Sequence, residues 1–423
     1  LGEDPAPAQI LELKICDIAV GSAAFLVETC RQLGEALVKA WRHHGGRPPL
    51  PDDETEELLA MRTVVQRCLY GVDRNPMAVD LAKLSLWLVT LAKDHPFTFV
   101  DHAIRCGDSL VGLTRSQIED FTWHDTKTSA RHFFSEEVRK RTAAALRERQ
   151  NLLGLGDDYG TPQLKREKLE KADELLDLVR FIGDAAVAAF FAVDKEKARE
   201  VKRVELAERI ADYLGKGELK RRPTDEVNAL REGRFPVRPF HWQIEFPEVF
   251  GRENPGFDAV VGNPPFAGKN TLLNGNREGY LDWLKSLHAE SHGNADLVAH
   301  FFRRAFGVIH IGGALGLLAT NTIGQGDTRA SGLRWICMHG GTTYSARKRA
   351  KWPGQAAVVV SIVWMTKGNH PGPFDLDGRT VPIITAYLFH AGGHENPSVL
   401  HANKSKSFIG SYVLGMGFTF DDT

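Results

Sequence analysis

Short apolar runs alternate with helix-like stretches along this chain, and this pattern constrains its fold more than any other feature of the sequence. The candidate strands are residues 13–20, 68–73, 103–106, 257–261, 314–319 and 357–365. The helix-like stretches between them are residues 24–41, 76–91 and 296–308. Buried strands separated by amphipathic helices predict a parallel, doubly wound α/β sheet.

A long stretch of different composition interrupts this alternation. Residues 134–234 are dense in Lys, Arg, Glu, Ala and Leu, which favours helices. We therefore expect residues 134–235 to be a helical insertion in a seven-stranded, mainly parallel, Rossmann-like sheet. The charge runs within this stretch are typical of solvated helix faces.

Composition narrows the classes of function. Lys and Arg number 53 against 54 Asp and Glu, so a nucleic-acid partner needs a local basic patch. The five cysteines are scattered without CxxC pairs, which predicts no metal site, no disulfide and a reduced cytoplasmic compartment. The most apolar run, residues 185–193, is too short to span a membrane and predicts a buried helix segment. Because the chain opens on Leu1, we expect it to be part of a longer one.

The first candidate strand ends in a turn of small residues, DIAVGSAAF at 17–25. Such a strand-to-helix turn lets a ligand approach the backbone at the carboxyl edge of a parallel sheet. The glycine spacing of a dinucleotide fingerprint is absent, which disfavours a nicotinamide dehydrogenase. For this motif alone, a tight turn without a ligand is the alternative.

The next two candidate strands end close to an aspartate. Asp73 stands in YGVDRNP, and Asp108 stands in CGDSL. A carboxylate at the second strand end can accept hydrogen bonds from both ribose hydroxyls, and one at the third can accept from an adenine amino group. Each Asp alone also fits a helix cap or a turn. Three suitable strand ends in chain order indicate a nucleoside-bearing cofactor.

The fourth candidate strand ends in FDAVVGNPPF. The consecutive prolines Pro264 and Pro265 fix an extended backbone whose carbonyls stay free of a continuing ladder. Asn263 offers an amide oxygen, and Phe266 offers a flat apolar face. This combination suits a planar heterocycle with an exocyclic amine. A proline-rich turn is the alternative if the motif stands alone.

Together, these four motifs resemble the motif series of the gamma-class, S-adenosylmethionine-dependent N6-adenine DNA methyltransferases. The later stretches WPGQAAVVVSIVWM and SFIGSYVLGMGF are similar to the large members of type IIG restriction–modification enzymes and of the BREX and DISARM phage-defence systems. The resemblance covers most of the chain outside the helical insertion. It implies a cofactor-binding half at 1–133, a catalytic half at 236–400 and the start of a target-recognition region at 401–423.

The resemblance also implies a role for each motif residue. The catalytic residues that hold the target adenine would be Asn263, Pro264, Pro265 and Phe266. The residues that bind S-adenosylmethionine would be Asp17, Ala19, Gly21, Ser22, Ala23, Phe25, Asp73, Arg74, Asn75, Asp108 and Ser109. The chain departs from the family at Val20, where Cys or Met is frequent, and at Ala23, where Gly is usual. The extra methyl at Ala23 predicts crowding of the cofactor.

The implied substrate is an adenine flipped out of double-stranded DNA, and other subunits of a defence complex are candidate partners. The best DNA-facing patch consists of Arg347, Lys348, Arg349 and Lys351. These cations can pair with phosphates, although a solvated loop is a close alternative. Two other functions stay open: methyl transfer to protein glutamine or RNA, and a non-catalytic subunit that senses the cofactor or DNA.

Overall fold

One mixed sheet of nine strands organises the described part of the chain. The computed structural model describes residues 2–50, 54–91, 98–124, 134–155, 161–216, 222–351, 359–398 and 406. The strands are β1 (Ile15–Asp17), β2 (Leu69–Asp73), β3 (Ile104–Cys106), β4 (Phe257–Gly262), β5 (Ile309–Thr320), β6 (Gly341–Lys351), β7 (Val359–Lys367), β8 (Phe374–Leu376) and β9 (Arg379–Val381).

The order across the sheet is β3-β2-β1-β4-β5-β7-β6-β8-β9. The first five strands of this order pair in parallel, whereas β7 is antiparallel to β5 and β6, and β9 is antiparallel to β8. The α/β class therefore agrees with the prediction, whereas the predicted count of seven strands is wrong, and antiparallel pairings of β7 and β9 interrupt the parallel part of the sheet. The short strands β8 and β9 extend the edge beyond β6, and the sheet is mixed.

Helices connect the strands and cover the sheet. Before β4 the helices are α1 (Pro7–Leu11), α2 (Ala24–His44), α3 (Glu56–Cys68), α4 (Pro76–Val89), α5 (Arg115–Glu119), α6 (Ser135–Gly154), α7 (Thr161–Phe191), α8 (Glu196–Lys216), α9 (Asp225–Arg231), α10 (Trp242–Glu245) and α11 (Pro247–Phe250). After β4 they are α12 (Lys269–Gly275), α13 (Tyr280–Leu287), α14 (Leu297–Val308), α15 (Gly326–Arg329) and α16 (Trp335–Met338).

The connection between β3 and β4 is helical, in agreement with the composition of that stretch. Its long helix α7 is buried along its final turns, so the predicted buried helix segment is confirmed within α7. Phe181 and Ile182 of α7 belong to the same apolar cluster as Ile18 and Tyr70, which lie in or next to the sheet strands. The helices of this connection therefore pack into the main core rather than forming a separate one.

Among the described residues, no helix combines the length and the apolar character that crossing a membrane requires. The target-recognition region predicted at 401–423 lies outside the described residues, apart from Lys406.

Candidate active site

Asp17 ends β1 and lies beneath the turn that leads into α2. It is 2 % exposed, and its Oδ1 accepts a hydrogen bond from the Ala19 N–H at 3.0 Å. This contact turns the chain out of the ladder, which explains why β1 ends earlier than predicted. Burial raises the pKa of the Asp17 carboxyl from 3.8 to about 7, because water no longer solvates its charged form. A cation bound at this turn would favour the ionised carboxylate.

The turn itself uses two residues with left-handed backbone conformations. Gly21 has a φ of +52°, and Ala23 has a φ of +64°. A left-handed conformation costs an L-residue with a Cβ roughly 1–2 kcal/mol, which gives a physical reason for the glycine that the family usually has at the position of Ala23. Ala23 is fully buried, in the same apolar cluster as Val20 and Leu26. Its methyl group is therefore not exposed to a ligand. Ala23 affects the site through its left-handed backbone conformation rather than through contact with a cofactor.

Asp73 joins the ends of β1 and β2. Its Oδ2 accepts from the Gly21 N–H at 3.0 Å, and its Oδ1 accepts from the Asn75 N–H at 2.9 Å. Asn75 in turn caps α4, since its Oδ1 accepts from the Met77 N–H at 3.1 Å. The two cofactor motifs predicted from the sequence are thus held in contact by a hydrogen bond from the Gly21 main chain to the Asp73 side chain.

Asp108 follows β3 and is buried against a residue that the motifs do not include. The Tyr280 hydroxyl lies 3.1 and 3.0 Å from its two carboxylate oxygens, and the Leu110 N–H donates to its Oδ1 at 3.0 Å. Burial raises the pKa of Asp108, which these two donors and nearby arginines partly offset. Ser109 is tied to the first motif, because its Oγ donates to the Ile18 carbonyl at 2.6 Å.

Tyr280 is the residue of this group that sequence reasoning misses. It begins α13, 172 positions after Asp108. A single buried tyrosine at the start of a short helix has no spacing pattern that links it to a distant aspartate. Its hydrogen bond to Asp108 connects the stretch that follows the Asn-Pro-Pro-Phe motif with the third strand end.

The Asn-Pro-Pro-Phe motif leaves β4 next to Asp17. β1 and β4 are parallel neighbours, with Cys16 opposite Val260. A Cβ built on Gly262 would lie 2.6 Å from Asp17 Oδ1, so only glycine allows the two strand ends to approach this closely. Asn263 follows directly and is exposed. The predicted catalytic motif and the predicted cofactor turn therefore meet at one sheet edge.

The remainder of the motif is anchored to α14. Pro264 is buried, Pro265 is exposed, and Phe266 is half-buried against the main core. Ala267 is held on both sides, because its N–H donates to Asp296 Oδ1 at 3.1 Å and its carbonyl accepts from the Leu297 N–H at 2.9 Å. Asp296 is also the N-cap of α14. The loop that carries Asn263 is thus fixed at both ends.

The remaining cofactor-motif residues lie around the same turns. Ser22 and Arg74 are exposed, Ala19 and Phe25 are half-buried, and the Arg74 guanidinium donates to Asn276 Oδ1 at 2.8 Å.

The predicted DNA-facing patch lies on β6, which the sequence pattern does not predict to be a strand. Arg347 forms a two-point ion pair with Asp375 of β8, with both N–O distances at 2.7 Å. Lys348 Nζ lies 3.8 Å from Asp377. Arg349 and Lys351 are exposed, whereas Trp352 lies outside the described residues. Half of the predicted patch is therefore already paired with carboxylates of the neighbouring hairpin.

Comparisons with known proteins agree with these motifs. Residues 188–336, which contain Asn263 and its loop, match the family model described as Eco57I restriction-modification methylase. Over this segment the chain is similar to restriction-modification methylases, which confirms the resemblance expected from the sequence.

Individual methylases of this kind show the same relationship. A type II restriction enzyme and methyltransferase of Methanocaldococcus jannaschii is 25% identical over 286 residues, which cover 60% of this chain and 22% of that protein. The chain thus spans about a fifth of the length of this curated relative.

Two solved restriction-modification structures are also similar to this chain. The type IIL enzyme MmeI, in complex with DNA, is 14% identical with a TM-score of 0.44, covering 91% of this chain and 36% of MmeI. The M protein of the type I enzyme EcoKI is 13% identical with a TM-score of 0.35, covering 88% of this chain and 45% of that protein.

Proposed function

We propose that this chain transfers a methyl group from S-adenosylmethionine to N6 of an adenine flipped out of DNA. The observation that carries the proposal is the close approach of β1 and β4, which sets Gly262, the residue before exposed Asn263, beside buried Asp17. A nucleoside site and a base-binding loop at one sheet edge are what methyl transfer to a base requires. The match to restriction-modification methylases supports this choice.

The residues at the first two strand ends fit this cofactor. Asp73 is half-buried, and each of its oxygens accepts one main-chain N–H, which leaves lone pairs for ribose hydroxyls. Asp17 lies under the turn, and a nearby cation would favour the ionised form of its carboxyl group. S-adenosylmethionine, when bound, supplies an electrophilic methyl on a positively charged sulfur. The small residues Ala19 and Gly21 leave the backbone open to such a ligand.

In this proposal the protein acts mainly by positioning. The Asn263 amide oxygen and the Pro264 carbonyl accept the two N6 hydrogens, which favours a pyramidal nitrogen with a localised lone pair. Pro265 keeps that backbone rigid. Extrusion of the base costs a few kcal/mol, and stacking on Phe266 recovers roughly 1–3 kcal/mol. No strong general base is needed, because the proton becomes acidic only after methyl transfer.

The proposal extends to the organisation of the chain. Residues 1–133 and 236–400 form the cofactor-binding and catalytic halves of one methyltransferase domain, and residues 134–235 form an insertion between them. Double-stranded DNA is the proposed partner, within a restriction–modification or phage-defence system. Arg347, Lys348, Arg349 and Lys351 are proposed to face DNA, with the last two as the cations free for phosphates.

The decisive test replaces Asn263 with alanine. We expect Asn263→Ala to abolish transfer of tritiated methyl groups to DNA, while binding of S-adenosylmethionine measured by calorimetry largely survives. Transfer to RNA and to protein is measured in parallel, because a protein-glutamine or RNA methyltransferase would label those instead. Unchanged labelling of DNA by the variant would contradict the proposal, and a wild-type chain that binds the cofactor but labels nothing would favour a sensing subunit.

A further inference from the structure

A cleft of about 270 Å³ opens beside the third strand end. Asp108 and Tyr280 form part of its wall, and the remaining walls come from three loops. These loops follow β2, precede α10 and follow α12. The cleft therefore adjoins the proposed adenine end of the cofactor site, and Gly21 is not among its lining residues.

Four guanidinium groups line this cleft, and they belong to Arg74, Arg234, Arg238 and Arg277. Asp108 is the single carboxylate among the lining residues, and it already accepts hydrogen bonds from Tyr280 and Leu110. The wall thus carries a net positive charge of about three. Like charges around one small cleft repel each other, so an anion bound among them lowers the electrostatic energy.

Among the described residues, these arginines contact neutral groups rather than carboxylates: Arg238 donates to Cys106 Sγ at 3.6 Å, and Arg234 packs over the Phe235 ring. Arg74 donates to the Asn276 side chain, and Arg277 donates to the Leu230 and Glu232 carbonyls at 3.2 Å. Such contacts orient a guanidinium without neutralising it. The remaining N–H donors of each fork stay available for a ligand.

The neighbouring pocket shows what this chain does with arginines that serve only structure. There Arg105 and Arg180 both pair with Asp173 and Glu245 at distances between 2.6 and 3.1 Å. Acidic residues are not scarce, since the chain has 54 of them against 53 basic ones. Among the described residues, the arginines of the first cleft therefore lack the carboxylate partners that Arg105 and Arg180 have, although Arg238 lines both pockets.

We propose that this cleft binds a phosphate group. Guanidinium forks match phosphate oxygens in two-point hydrogen bonds, and four of them around a small concave site suit a doubly charged anion. The phosphate can come from the DNA backbone or from a free phosphate compound. The first source rests on the proposed function, whereas the second does not.

The test variant is Arg234→Gln combined with Arg238→Gln. Both side chains are exposed, and neither forms an ion pair in the described part of the chain, so the fold should tolerate their loss. The matched control is Arg31→Gln with Lys39→Gln, which removes the same charge from exposed positions on α2. A second variant, Arg234→Lys with Arg238→Lys, keeps the charge but removes the planar forks.

Two measurements distinguish the sources. Fluorescence anisotropy follows binding of a short DNA duplex between 50 and 200 mM salt, and calorimetry follows binding of inorganic pyrophosphate. If DNA is the source, the glutamine variant should bind the duplex roughly tenfold more weakly, and its log-log salt slope should flatten by about 2. If a free phosphate is the source, pyrophosphate binding should disappear in that variant while duplex binding stays at the control level.

Glutamine-variant and control affinities that agree in both measurements would overturn the proposal. Thermal unfolding of each variant checks that it is folded. If the glutamine variant is not folded, the lysine variant replaces it. A loss of affinity with an unchanged salt slope is then expected, because the charge is kept and the two-point hydrogen bonds are lost. A chain that binds pyrophosphate through these arginines but methylates no DNA would keep this proposal and reject the proposed function.

Discussion

Replacement of Asp17 by asparagine should stabilise the chain, by an amount that depends on pH. The folded protein raises the pKa of this buried carboxyl from 3.8 to about 7. Between these values the folded state holds a proton that the unfolded state has released, so the contribution of Asp17 to stability falls as pH rises from about 4 to 7. Each pKa unit corresponds to about 1.4 kcal/mol, so three units give about 4 kcal/mol of destabilisation at pH 8.

Asparagine removes this penalty and keeps an oxygen that can accept the Ala19 N–H. We therefore expect the free energy of unfolding of Asp17→Asn to exceed that of the wild type by up to about 4 kcal/mol at pH 8. At pH 5 the pH exceeds the pKa of the unfolded carboxyl by little more than one unit. The stability gained by the variant should therefore shrink to about 2 kcal/mol. The decrease from pH 8 to pH 5 identifies the carboxyl as the cause.

Urea unfolding of both proteins at the two pH values measures this difference. The control is Glu28→Gln, which removes a carboxylate from an exposed position on α2 and should change stability by less than about 0.5 kcal/mol. A gain of the same size at both pH values would show that packing, rather than ionisation, is responsible. No gain at pH 8 would refute the reasoning altogether.

Three further predictions concern neighbouring parts of the molecule. Gly262→Ala should lower the free energy of unfolding by about 1–3 kcal/mol, because its methyl would meet the Asp17 carboxylate; chemical denaturation measures this. Tyr280→Phe should remove about 1–3 kcal/mol of stability and weaken S-adenosylmethionine binding in calorimetry, since buried Asp108 loses a donor. Burial lowers the pKa of His300 to about 3. The free energy of unfolding should therefore decrease as the pH is lowered below 6.5, by about 2 kcal/mol at pH 5, because the unfolded histidine binds a proton that the folded one does not. A His300→Gln variant should show a flatter pH dependence of the urea midpoint.

The sequence predicts the ends of β2, β3 and β4 to within one residue, because there a buried apolar run gives way to small or acidic residues within one motif, whereas β1 ends three residues earlier than predicted. Asp17 and Asp73 end their strands in the structure, and Asn263 directly follows β4. Local order along the chain is enough to place these residues at the carboxyl edge of a parallel sheet.

Features that depend on contacts between distant segments cannot be predicted from local sequence patterns. The basic strand β6 has no apolar alternation, and β8 is only three residues long. The ion pair between Arg347 and Asp375 exists because these two strands are neighbours in the sheet. A charge pattern read along the sequence therefore overestimates how many of the β6 cations are free for DNA.

Two residues of the β1–α2 turn lower the stability of the fold. Asp17 buries a carboxyl at a cost of about 4 kcal/mol at alkaline pH, and Ala23 adopts a left-handed conformation at roughly 1–2 kcal/mol. Asparagine and glycine would relieve these costs in the same fold. Observed strain of this kind concentrates at ligand sites, where the surrounding structure enforces it. A bound cation would stabilise the Asp17 carboxylate and offset part of this cost, which agrees with the sulfonium of the proposed cofactor.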